Sequence, residues 1–182
     1  EDELVAGDIL LVSKNNYFWS AEYKEMDFIA NGDVMRVVRV RGDVERRYGL
    51  RFANVTVEFP DHGNLEMEVK IVLDALVSDS PALSREQSDR LFSDVFNELD
   101  GDKRSRFRAL KKHEYFNALQ VKYAYTVTCH KAQGGQWKNV FIDMGYIPDE
   151  AFAQLDFFRW LYTAISRARK NVYLINCPLS GT

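Results

Sequence analysis

Apolar residues at every second position dominate the early part of the chain. Val55, Val57 and Phe59 alternate with polar neighbours, and Leu65, Met67, Val69 and Ile71 do the same beyond the turn Pro60–Asn64. Residues 34–73 read as β throughout. Upstream, Gly7–Val12 is a turn followed by a short apolar run, and Asn31-Gly32-Asp33 is a tight turn entering a strand. Short strands separated by turns predict a small antiparallel barrel or sandwich. The period then changes. Ser84 with Gln87 is a capping-box pattern; Leu91, Phe92, Val95, Phe96 and Leu99 recur at helical spacing, and Gly101 stops the run. Lys103–Lys112 follows as the densest basic run, a pattern that can track phosphates but is more commonly a solvated helix face. From Ala118 the pattern turns to α/β. Tyr123–Cys129 is β-rich and breaks into polar residues and the pair Gly134-Gly135. Asn139–Met144 is a short apolar strand, and Pro148-Asp149-Glu150 opens a helix with the stripe Phe152, Leu155, Phe158, Leu161, Tyr162 and Ile165. Asn171–Asn176 is the last strand. Strand, helix, strand in that order predicts a parallel sheet with a crossover helix.

Composition narrows the classes. A chain of 182 residues, 46% hydrophobic and 28% charged, holds one medium domain or a domain with a small insert. No apolar run approaches a membrane span and the N-terminus has no signal-peptide character, so a cytoplasmic location is expected. Two cysteines are too few for a disulfide framework, and three scattered histidines give no metal-ligand spacing, so no metal site is expected. A net charge of -3 means that any nucleic-acid contact must use local basic patches. Candidates on the β-rich segment are Arg36, Arg39, Arg41, Arg46, Arg47 and Arg51, although arginines on a solvated strand face are the commoner case.

The chemistry concentrates in two stretches. In the first, Thr128, His130 and Lys131 bring a hydroxyl, an imidazole and an ammonium to a strand end, a set that can bind a phosphodiester backbone. Gln133, Gly134 and Gln136 follow, and the glycines let backbone N–H groups approach an anion closely. In the second, Thr163-Ala-Ile-Ser166-Arg167-Ala168 ends a helix. Cys129 and His130, adjacent in sequence, do not make a nucleophile–base pair, because neighbouring strand residues point to opposite faces.

The two stretches together resemble motifs V and VI of superfamily 1 DNA helicases, in the branch of RecD-like and phage Dda-like enzymes. Gly7–Tyr17 with Phe28–Val40 is similar to a segment of the same family. The resemblance implies a RecA-like (P-loop NTPase-type) parallel-sheet half-domain with an inserted small antiparallel β-barrel. Residues 1–32 would begin the RecA-like domain, 33–117 would hold the barrel and a helical segment, and 118–182 would complete it. It implies that Thr128, His130 and Lys131 contact single-stranded DNA, and that Gln133, Gly134, Gln136 and Arg167 face ATP. Arg167 would be the arginine finger. Many relatives carry Glu where this chain has Gln136, and Ser166 replaces the commoner Thr. No G-x-x-x-x-G-K-[ST] run occurs in the sequence, so ATP and Mg²⁺ are expected mainly on an upstream RecA-like domain, and the chain reads as part of a larger protein. The implied activity is ATP-dependent translocation on single strands and unwinding at duplex junctions, in the service of DNA repair or recombination. The alternative is a single-stranded nucleic-acid-binding module without ATPase activity, with Tyr17, Phe18, Trp19 and Tyr48 as stacking platforms.

Overall fold

The computed structural model describes residues 3–78, 80, 82–130 and 132–177. Contacts divide the chain into two compact units, Glu1–Tyr125 and Thr126–Thr182.

The first unit runs β1 (Ile9–Val12), β2 (Val34–Arg47), β3 (Leu50–Phe59), β4 (Leu65–Val72), α1 (Leu73–Val77), α2 (Arg85–Glu98), α3 (Lys103–Leu110) and β5 (Val121–Tyr123). The strands form one sheet in the order β4-β3-β2-β1-β5, and each neighbouring pair is antiparallel. Its two edges meet, because Leu119 N donates to Lys70 O at 2.7 Å and Leu119 O accepts from Val72 N at 3.0 Å. One isolated parallel bridge, Ile71 with Leu119, thus joins the two sides of the sheet at a single point. Curvature comes from β2, whose register against β3 shifts between Val37 and Arg39 and again between Arg41 and Glu45. The β2–β3 turn needs positive φ at both central residues, and Tyr48 and Gly49 adopt 54° and 70°.

Strand alternation decides what is buried. Ala53, Val55, Val57 and Phe59 of β3 join Leu10, Met35, Met67, Val69 and Ile71 in the core inside the sheet. Leu50 and Phe52 belong to a second core under the helices, with Leu91, Val95 and Leu110. The capping box at Ser84 forms with both hydrogen bonds present. Most of the candidate arginines are committed to this fold. Arg36 pairs with Glu58, Arg41 with Glu68, Arg47 with Glu98, and Arg51 with both Glu3 and Asp74. Arg39 and Arg46 enter no ion pair among the described residues.

The segments expected to flank an insert, 1–32 and 118–182, supply β1 and β5 to this same antiparallel sheet. The strand expected over Tyr123–Cys129 ends at Tyr123. Beyond it Ala124 N still donates to Ile9 O at 2.7 Å, and the chain then enters turns, with Ala132 N donating to Thr128 O at 3.1 Å.

The second unit is β6 (Trp137–Asp143), a 3₁₀ turn at Asp149–Ala153, α4 (Leu155–Ile165) and β7 (Ala168–Ile175). β6 and β7 are parallel, with α4 as the crossover, as the strand–helix–strand order predicted. The helix expected from Pro148 is instead broken at Gln154, whose extended φ/ψ of −88°/145° separates the 3₁₀ turn from α4. The expected stripe is also corrected in part. Phe157, Trp160, Leu161 and Ala164 pack with Ile142 and Val172, whereas Leu155, Phe158, Tyr162 and Ile165 are exposed. A helix that is apolar on opposite faces has the pattern of one packed on two sides. No helix among the described residues is long and apolar enough to cross a membrane.

Candidate functional site

Three short turns carry the chain from Thr128 to β6. Gln133 N donates to His130 O at 3.3 Å and Gly135 N donates to Ala132 O at 3.2 Å. Gly134 sits at φ 90°, a conformation that side chains resist. Gly135 is required for another reason. A Cβ built there would lie 2.2 Å from the Trp137 ring, so the indole rests directly on the glycine. Gly135→Ala is expected to push the Trp137 ring into solvent, shift tryptophan emission to the red and cost about 1 kcal/mol. An unshifted spectrum would mean that the indole does not rest there in solution.

The second stretch closes against this loop. α4 ends with Ser166 N donating to Tyr162 O at 3.0 Å and Arg167 N donating to Ala164 O at 3.2 Å. Arg167 O then accepts from Trp137 N at 2.9 Å, which ties the start of β6 to the helix end. The Arg167 guanidinium is held at three points. Nε donates to Thr163 O at 3.1 Å, Nη2 donates to Ser166 Oγ at 3.0 Å, and Nη1 makes a longer 3.4 Å contact with Gly135 O. Ser166 Oγ in turn donates to Thr163 O at 2.9 Å. All three acceptors are neutral oxygens, and among the described residues Arg167 forms no ion pair. The group is therefore oriented but keeps its full charge, the condition for receiving an anion. Arg159, by contrast, pairs with Asp156 at 3.1 Å on the exposed side of the helix.

Gln136 and Arg169 meet as well, with Arg169 Nε donating to the Gln136 amide oxygen at 3.4 Å. Asp143, the carboxylate at the end of β6, is occupied, accepting from Gly145 N at 2.9 Å and Asn176 Nδ2 at 3.0 Å. These bonds lower its pKa.

Cys129 is half-buried, its Sγ donating to Trp160 O at 3.6 Å. Burial pushes the thiol pKa up, and the nearby Arg167 charge opposes this only in part. Cys129 thus acts as a small packing residue between the loop and α4, not as a nucleophile.

Thr128, His130 and Gln133 are at least partly open to solvent, and their side chains make no hydrogen bond among the described residues. Lys131 lies outside the described residues. The structure thus brings Gly135, Gln136, Cys129 and Arg167 together at one end of the β6–β7 pair, and leaves Thr128 and His130 on the open surface of the same loop. Sequence reasoning missed Thr163, Ser166 and Trp137 as the groups that fix Arg167 and the glycines. The only local signal was the hydroxyls at Thr163 and Ser166, four residues and one residue before the arginine. Among the described residues no group of three His, Cys, Asp or Glu side chains could hold a metal ion.

Comparison with known proteins bears on this same segment. Residues 123–175 match the model of the UvrD-like helicase C-terminal domain. A stretch of 70 residues, 38% of the chain, is 34% identical to an uncharacterized protein of Methanocaldococcus jannaschii and covers 6% of that protein's length. The matched region 123–175 includes every residue of the site described above, and it supports a UvrD-type helicase C-terminal region.

Proposed function

We propose that the chain is the C-terminal motor region of an ATP-dependent DNA helicase of the RecD/Dda-like branch of superfamily 1. The observation that carries this is Arg167, a guanidinium oriented by Thr163, Ser166 and Gly135 with no carboxylate among the described residues neutralising it. Phosphoryl transfer needs positive charge placed on the transferring group, and such an arginine offered from a facing domain supplies it. The same loop carries Gly134, exposed and at φ 90°. Gln133, Gly134, Gln136 and Arg167 would face the nucleotide, while Mg²⁺ and the phosphate loop belong to an upstream RecA-like domain.

Thr128, His130 and Lys131 would hold the single strand, so that closing the two motor domains around ATP shifts these contacts along the DNA. In this reading β6, α4 and β7 belong to a RecA-like sheet. The apolar residues exposed on α4 and on the sheet would pack against its remaining elements, since parallel sheets are covered on both faces. Residues 33–117, which carry β2–β4 and α1–α3, would be the insert.

The test is single-strand-stimulated ATPase and strand displacement by the full-length protein. Wild type should show both. Thr128→Ala/His130→Ala should raise the DNA concentration needed for half-maximal stimulation by about tenfold, as the removal of two hydrogen bonds implies. If the protein binds single strands but hydrolyses no ATP, the motor reading fails and a binding module remains.

A further inference from the structure

A cleft of about 580 Å³ opens in the first unit between the Lys14–Ala21 loop and the segment Lys111–Gln120. Its volume lies in the range of sites that take small organic ligands. Two features of its lining stand out. Lys14, Lys111 and Lys112 face it and no carboxylate does among the described lining residues, although the whole chain carries a net charge of -3. None of these lysines enters an ion pair among the described residues. The second feature is Tyr17, which is 65% exposed, with its ring stacked on Phe28 at 4.9 Å.

The two walls are fixed to each other. Asn16 Nδ2 and Trp19 Nε1 both donate to Asn117 O at 2.8 Å, and Asn117 Nδ2 donates to Lys111 O at 3.1 Å and His113 O at 2.9 Å. Asn16 Oδ1 accepts from Phe18 N at 3.0 Å and Trp19 N at 3.2 Å, which shapes the turn that presents Tyr17. One asparagine from each wall thus locks the loop to the end of α3. A cleft held open in this way loses little conformational entropy when it binds.

We propose that this cleft is a contact site for single-stranded nucleic acid, separate from the one expected at Thr128 and His130. A base stacks on Tyr17, and neighbouring phosphates lie against Lys14, Lys111 and Lys112. Several cations spread along a cleft beside an aromatic platform match a polymer that repeats phosphate and base, and every base has a face to stack. An acidic peptide would use the lysines but leave Tyr17 idle. The choice of DNA over RNA rests on the helicase reading; the cleft itself does not.

The probe is a fluorescent oligothymidine, followed by anisotropy with the whole protein. Tyr17→Ala is expected to weaken binding by about tenfold, and Tyr17→Phe to leave it unchanged, because stacking needs only the ring. Lys111→Gln/Lys112→Gln should reduce the slope of log affinity against log salt by about 1.4, about 0.7 for each single-strand phosphate no longer neutralised. Photo-crosslinking with an oligonucleotide containing 5-iodouracil should label the Tyr17 peptide, and should still do so in Thr128→Ala/His130→Ala. The proposal is overturned if Tyr17→Ala binds like wild type and crosslinks map elsewhere, or if polyglutamate competes as well as the oligonucleotide. Crosslinking at Tyr17 in a protein without ATPase activity would leave the cleft standing and remove the motor instead.

Discussion

Arg167→Ala is expected to lower the single-strand-stimulated ATPase of the full-length protein by about a thousandfold or more, with ATP and DNA binding little changed. The magnitude follows from what is removed. In the ground state Arg167 contacts only neutral oxygens among the described residues, so its charge is not spent on a structural ion pair. Its removal deletes stabilisation of the transition state and leaves the fold almost untouched. Arg167→Lys should not restore turnover, because an ammonium cannot reach Thr163 O, Ser166 Oγ and Gly135 O as a planar fork does. Ser166→Ala is the subtler variant. It frees one arm of the guanidinium, and turnover should fall while KM for ATP holds. Equal hydrolysis by wild type and Arg167→Ala would reduce Arg167 to a helix-end cation worth a few tenths of a kcal/mol.

Glu45→Ala is expected to destabilise the first unit by about 3 kcal/mol, lowering its melting temperature by about 10 °C. The cause is Lys70. Its side chain is only 2% exposed, and its ammonium lies 2.8 Å from Glu45 Oε2. Tyr115 and Asn54 donate to the same carboxylate, and the Tyr115 ring lies 4.1 Å from Lys70 Nζ. Without Glu45, the buried ammonium keeps Glu114 at 3.8 Å and the ring as its described partners. The reverse deletion is milder. Lys70→Met should cost much less, because the Glu45 side chain is 32% exposed and retains Tyr115, Asn54 and water.

The pH dependence has a definite sign. Hydrogen bonds from Lys70 and Tyr115 lower the Glu45 pKa from 4.5 to about 2. Its contribution is therefore complete above the unfolded value and is lost as pH falls through the folded one. Wild-type stability should decline between about pH 5 and 2, and Glu45→Gln should flatten that decline. A variant as acid-sensitive as wild type would show that Glu45 is not the titrating group.

Much of this architecture was legible because it is written in short periods. Alternation at Val55, Val57 and Phe59 gave strands, the Ser84–Gln87 pair gave a helix start, and the strand–helix–strand order gave parallel pairing of β6 and β7. The two site stretches could also be matched from their residue types alone. Other features lacked a local code. Tyr123–Cys129 has the composition of a strand, yet its pairing with β1 ends with the Ala124 N to Ile9 O bond, and turns follow from Thr128. Lys70 reads as a solvated cation in an alternating strand, and only the arrival of Glu45 and Tyr115 allows its burial.

By itself, then, the sequence determined most of the elements, their order and the residue types brought to the loop and helix end, since these depend on neighbours within a few residues. The tertiary structure decided which face of α4 packs, which arginines are paired, how Arg167 is held by neutral oxygens, and that Asn16 and Asn117 join two distant segments into a basic, aromatic cleft. Such outcomes depend on contacts between residues far apart in the chain. In α4, moreover, both faces are apolar, so periodicity alone cannot choose between them.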